Sequence, residues 1–359
     1  MTWTALSGLA PVYPLYALLF LDTGLSQAQV SALFALWSVT GLLAEVPTGV
    51  LADRWSRRGA LVLAGVLEAA GFVLWTLAPG LPGFAAGFVV WGVGGALVSG
   101  AGEALVYDAL AAGGAEGSYV RVHGATTAAE LLVQVPTAVL AGVLVEAGGY
   151  RLVGWVSVGT CLAAAVLATR FPEPPRAGDD DGPDVPLRRA VGTALRRPGL
   201  LLAVAAVALL GGLDAIEEYF PVTAREQGVP TELVPAAVLV VALAGRAARL
   251  PSRALPGLLL LSAGLLAAGA LSAGPVAVAA VAVSYGLYLA VLVVGEARLQ
   301  EQVPGPVRAT VTSVAGLGIE AASLLVFGAW ALGGAGAVAA VFAATAPLVA
   351  LGLRRPVVT

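Results

Sequence analysis

The 359-residue chain is 59% apolar and 11% charged, with a formal net charge of −3 and a mean hydropathy of +0.91. A soluble globular domain carries roughly 25% charged residues, so the composition excludes one and describes a polytopic all-α membrane protein. One cysteine, Cys161, rules out an internal disulfide, and with the one histidine, His123, it leaves no Cys/His zinc cluster.

In chain order the sequence reads as twelve apolar spans. The first six lie near 4–21, 29–52, 59–78, 83–111, 120–146 and 151–170, the second six near 198–222, 231–250, 255–273, 275–302, 307–331 and 335–353. A bilayer crossing needs about 20 apolar residues at 1.5 Å rise each. The start, Met1-Thr2-Trp3-Thr4, lacks the basic stretch of a cleavable signal, so span one is expected to be retained. Pro11 and Pro14 predict that it is bent. Short connections at 22–28, 79–82 and 333–336 make consecutive spans antiparallel neighbours. Residues 171–197, rich in proline, glycine and charge, including Asp179-Asp180-Asp181, form a flexible linker. The expected organisation is therefore a six-helix bundle over 1–170, the linker, and a second six-helix bundle over 198–359.

All 19 basic residues are arginine. With the amino terminus inside, only Arg151 and Arg225 fall outside the cytoplasmic segments. That asymmetry is what the positive-inside rule demands and places both termini in the cytoplasm.

Spans two and three are separated only by Gly49-Val50-Leu51-Ala52-Asp53-Arg54-Trp55-Ser56-Arg57-Arg58, a tight turn at the membrane surface. The two halves also echo each other. Span four ends in Gly102-Glu103-Ala104 with Asp108 five positions after the glutamate, and span ten ends in Gly295-Glu296-Ala297 with Glu301 likewise. The turn resembles the signature loop between helices 2 and 3 of the major facilitator superfamily, Gly-x-Leu-Ala-Asp-Arg-x-Gly-Arg-Arg. Only Ser56 departs from that pattern. The helix count, the 6+6 division and a basic loop from Arg246 to Arg253 extend the resemblance over the chain. It implies two parallel repeats with substrate held between them near the midplane.

A carboxylate at the bilayer centre costs about 2.5–3.5 kcal/mol on insertion scales, yet the spans keep Glu45, Glu68, Glu103, Glu130, Asp214, Glu217, Glu218, Glu296 and Glu320. Such acids either hold protons or face a watery cavity that attracts cations. Glu45 lies eight residues before Asp53, roughly 12 Å inside the cytoplasmic face. It is a proton- or substrate-facing acid or a neutral acid bonded to a neighbouring helix. Glu103, one turn from Tyr107, is a cavity candidate and Glu296 is its counterpart; Glu130 and Glu320 are lone acids in corresponding spans five and eleven. His123 is read as a polar cytoplasmic end or a titrating partner of Glu130. Asp214, Glu217 and Glu218, at i, i+3 and i+4, are expected to share one α-helical face and to titrate as a coupled set. Trp37, Trp75, Trp91, Trp155 and Trp330 are expected to pack or anchor.

The resemblance also implies a conformational latch at the turn. It comprises Gly49, Asp53, Arg54, Arg57 and Arg58 with Asp108 at the end of span four, the amino end of span eleven adding its dipole beside Asp53. It further implies a secondary transporter of small molecules in a bacterial cytoplasmic membrane. Such a protein acts as a monomer by alternating access, without nucleic-acid partners. No phosphate-binding motif or nucleophile–histidine pairing appears, so neither ATP drive nor enzymatic activity is expected; no cofactor is expected, and a proton gradient is the expected driving force. The excess of membrane acids over bases motivates proton coupling and favours a neutral or cationic organic substrate, and export by proton antiport is the expected activity. Proton symport for uptake, or a non-transporting sensor or scaffold, stays open. Span five has Pro136 and Gly142 but not the full Gly-x-x-x-Gly-Pro-x-x-Gly-Gly pattern of drug antiporters.

Overall fold

The computed structural model describes residues 1–173, 198–243, 251–303 and 308–353; most of the expected linker and of the loop before Arg253 lies outside them. Among the described residues every regular element is helical, and eight helices are long and apolar enough to cross a membrane. The chain divides into two compact units, Met1–Gly182 with Pro230–Leu239, and Pro183–Val229 with Val240–Thr359. Pro230–Leu239, within span eight, thus groups with the first unit. Gly142 explains how it fits there: a Cβ at that position would collide with the Glu232 carbonyl, so the bare glycine lets the Thr231–Leu233 turn rest on span five.

Span one is broken, as its prolines predict. Helix Thr2–Ser7 ends, a 3₁₀ turn runs over Tyr13–Leu15, and helix Tyr16–Asp22 follows. A break in a membrane segment leaves backbone groups without helical partners, and these must be satisfied internally. The Val12 N–H donates to Ser157 Oγ at 3.0 Å and Thr137 Oγ1 donates to the Gly8 carbonyl at 3.2 Å.

Those two bonds also decide the shape of the long helical run Tyr119–Ala168. Twenty residues of straight helix would separate Thr137 from Ser157 by about 30 Å, whereas four residues, Gly8 to Val12, span at most about 14 Å. The run therefore folds back, at Gly148 (φ −155°, ψ 18°) and Gly149 (φ 63°, ψ −168°). The second unit repeats the device within Arg308–Gly352, at Gly333 (φ −161°, ψ 20°) and Gly334 (φ 58°, ψ −150°). There Gly318 packs on Ala208 while Gly352 packs on Leu202, which a straight helix of that length could not do. Spans five–six and eleven–twelve are thus joined by the same glycine hairpin.

The backbone at Gly149 and Gly334 lies in a region open essentially to glycine, and an added Cβ would meet nothing within 4 Å at either. Gly149→Ala and Gly334→Ala are therefore expected to destabilise by torsion alone, by about 1–3 kcal/mol each. Thermal unfolding of the purified protein measures this; an unchanged midpoint in both variants would show that the turn relaxes freely.

Core packing in the first unit is aromatic. Trp75 is 1% exposed and its indole N–H donates to the Phe84 carbonyl, while Trp37 stacks on Trp91 at 5.1 Å. In the second unit Trp330 stacks on Tyr219 at 4.0 Å. Trp155 is largely exposed.

Candidate functional site

Helix Gln27–Arg54 stops at Trp55, and Ser56 caps the next helix, Arg57–Leu77, by accepting from the Gly59 N–H at 2.7 Å. Ser56 is extended (φ −166°), a conformation any residue adopts, so the departure from the glycine of the pattern costs nothing. Its hydroxyl also donates to Glu173 Oε2 at 2.8 Å, and Arg58 lies 3.7 Å from the same carboxylate. Arg57 is the centre of the turn. Its guanidinium pairs with Asp53 at 3.1 Å, with Asp108, and reaches the Ala104 carbonyl at 3.5 Å. Arg54, expected to share this role, is exposed and makes no ion pair with the described residues. Arg57 opens its helix pointing at Asp108 and the Ala104 carbonyl on span four, whereas Arg54 closes the preceding helix with its side chain exposed.

A second cluster occupies a cavity of about 570 Å³ within the first unit, at the same end as this turn. Glu103 and Glu130, read separately from the sequence, both line it, together with His123, Tyr119, Trp3 and Ser99. Ser99 Oγ donates to Glu45 Oε1 at 2.9 Å, so Glu45 stands directly behind this wall.

The third cluster, in the second unit, departs from the expected geometry. Leu213–Tyr219 is 3₁₀, not α. Pro221 supplies the cause: it has no N–H for the Glu217 carbonyl four residues back, and its ring crowds that carbonyl. The Phe220 N–H takes the Glu217 carbonyl instead, which tightens the turn. In a 3₁₀ helix residues i and i+3 eclipse. Asp214 and Glu217 therefore share a face, while Glu218 turns away into the packed interior, 7% exposed. The single expected face for all three acids does not exist.

Facing the pair is Tyr285, whose Oη lies 2.9 Å from Asp214 Oδ1 and 3.2 Å from Glu217 Oε2. Tyr288, one turn on, donates to the Leu210 carbonyl at 2.9 Å, just before the α-helix tightens. Phe220 meets the Tyr285 ring edge-on at 4.8 Å. A tyrosine hydroxyl carries one proton. Oη donates one full hydrogen bond, so the second contact becomes a full hydrogen bond when the other acid carries a proton and donates it to Oη. The sequence reading missed both tyrosines. Their signal was two hydroxyl-bearing rings at i and i+3 in the mainly aliphatic part of span ten, where each hydroxyl must find a partner. Glu296 and Glu320 stand exposed on spans ten and eleven, outside these hydrogen bonds. Arg298 pairs with Glu301 at 2.6 Å along its own helix.

A family model described as Major Facilitator Superfamily matches residues 1–333. No curated protein sequence matches the chain. Among solved structures it is similar to the nucleoside transporter NupG, at 12% identity and a TM-score of 0.73, covering 98% of both chains. It is similar to the D-xylose-proton symporter at 15% identity and a TM-score of 0.71, covering 97% of this chain and 96% of that one. A bacterial homologue of the human lysosomal transporter Spinster, inward-facing and occupied, aligns at 16% identity and a TM-score of 0.70 over 98% of this chain and 92% of the other. With its apolar helices, its paired glycine hairpins and the family match over most of its length, this multi-span membrane protein belongs to the major facilitator superfamily, a family of transporters of small molecules.

Proposed function

We propose that the chain is a proton-coupled secondary transporter that exports a neutral or cationic organic compound by antiport, through alternating access of its two units. The observation that carries the proton is the Asp214–Tyr285–Glu217 cluster: both contacts become full hydrogen bonds when one acid carries a proton beyond that of the tyrosine. That proton sits where desolvation and a like charge make its gain and loss sensitive to solvent access. Opening the cluster to one side of the membrane and then the other is then enough to move it. Twelve crossings with both termini cytoplasmic follow if each glycine hairpin joins two spans and the arginines stay inside. The Arg57–Asp53–Asp108 cluster serves as the latch of one conformation, broken and remade in each cycle. Its place is a bacterial cytoplasmic membrane, and a monomer contains every group named.

Purified protein in liposomes, with a pH-sensitive dye inside and an imposed pH gradient, tests this. Antiport predicts that an organic cation on the proton-poor side drives proton flux against its own movement. Flux in the same direction as the solute would replace export by symport. Absence of proton flux with any cation, sugar or nucleoside would leave a non-transporting member of the fold.

A further inference from the structure

We infer that the cavity in the first unit is a binding site for an organic cation with a flat or globular apolar body. Its volume, about 570 Å³, is of the size that encloses a small organic molecule. Two carboxylates, Glu103 and Glu130, line it, and neither forms an ion pair with a described residue. Among the described residues no arginine lines the cavity; His123 and Tyr119 are its other titratable side chains. Two aromatic walls flank these acids. Trp3 meets Phe171 edge-to-face at 6.1 Å, and Tyr119 stacks on His123 at 5.9 Å with 15° between the rings. The rest of the lining is mainly aliphatic, including Leu61, Val98 and Leu105.

This combination selects among ligand classes. An anion is repelled by both glutamates. A neutral solute leaves two desolvated carboxylates without a partner, which costs free energy when water is displaced. A small inorganic cation gains nothing from the aromatic and aliphatic walls, and no group of three or more metal-binding side chains occurs among the described residues. An organic cation with delocalised or shielded charge uses carboxylates for its charge, ring faces for cation–π contact and the aliphatic wall for its body, while Ser99, Thr126 and Thr127 already donate within the protein. Behind the wall, the lining residue Ser99 donates to a third carboxylate, Glu45. The inference rests on the transporter reading in one respect only, that the occupant is the cargo; the binding itself does not depend on transport.

The test is titration of the purified full-length protein, in a nonionic detergent, with tetraphenylphosphonium, followed by calorimetry and by tryptophan fluorescence. Saturable binding is expected, weakened at least tenfold by Glu103→Gln and by Glu130→Gln, and lost in Thr127→Arg, which sets a fixed cation in the same wall. Tetraphenylborate, of the same shape and opposite charge, should not compete, and Glu146→Gln, outside the cavity, should bind as the parent does. Melting curves of each variant keep loss of binding separate from loss of fold. Equal binding of both tetraphenyl ions, or binding indifferent to both glutamates and to Thr127→Arg, would overturn the site. Intact binding without proton flux in liposomes would overturn the coupling proposal alone, and intact flux with glutamate-independent binding would overturn this one alone.

Discussion

Glu217→Gln is expected to abolish substrate-driven proton movement in liposomes while leaving exchange of substrate down its own gradient. The amide keeps the shape of a protonated carboxyl but has no proton to release, so the cluster with Asp214 and Tyr285 is held in one state. Asp214→Asn should do the same. Tyr285→Phe makes a sharper test, because it removes no acid. It deletes the one hydroxyl that touches both carboxyls, a contribution of about 1.5–3 kcal/mol for a hydrogen bond to a charged group. That corresponds to roughly a 10- to 100-fold fall in coupled transport. Tyr288→Phe leaves the two carboxyl contacts of Tyr285 in place and removes only a hydroxyl shared between the Leu210 carbonyl and Asp214, so it should cost less than Tyr285→Phe. Proton flux unchanged in Glu217→Gln, Asp214→Asn and Tyr285→Phe together would remove this cluster from the coupling path.

The second large effect is expected at Arg57. Its loss leaves Asp108, whose side chain is only 12% exposed, without its cation. Removing one partner from such a pair costs about 1–3 kcal/mol. Arg57→Ala should therefore lower the melting temperature and shift the balance between conformations, read as altered accessibility of a cysteine placed in the 53–58 turn. Arg57→Lys should recover only part, since a single ammonium does not reproduce the guanidinium fork that holds Asp53 and Asp108 at once. Arg54→Ala, which removes no ion pair with the described residues, should change stability by less than about 0.5 kcal/mol. The Arg57→Asp, Asp108→Arg exchange should restore most of what either single change loses. Equal effects of Arg54→Ala and Arg57→Ala would show that general positive charge, not the pair, matters at this turn.

Much of this fold was legible before any coordinates. A bilayer admits only long apolar stretches with every backbone group satisfied inside the protein. Hydropathy therefore marks the spans, Pro11 and Pro14 the break in the first of them, and the arginines the expected side. The Gly102–Glu103–Ala104 and Gly295–Glu296–Ala297 echo pointed to a repeat, and the paired glycine hairpins add an independent mark of it. Glu103 and Glu130 were visible as acids out of place, but only packing brought them into one cavity. Ser56 looked like a flaw in the turn; its extended backbone shows why serine serves.

What the sequence by itself determined is the set of apolar spans, the acids that interrupt them and the basic turn between spans two and three, because these follow from local composition and the demands of the bilayer. What only the tertiary structure decided is which groups meet. Tyr285 reaches Asp214 across 71 residues, and Arg57 reaches Asp108 across 51. The 3₁₀ turn before Pro221 rotates Glu218 away from its neighbours. In an apolar medium each polar group takes whatever partner the packing of helices brings within about 3 Å, and no spacing along the chain records that choice.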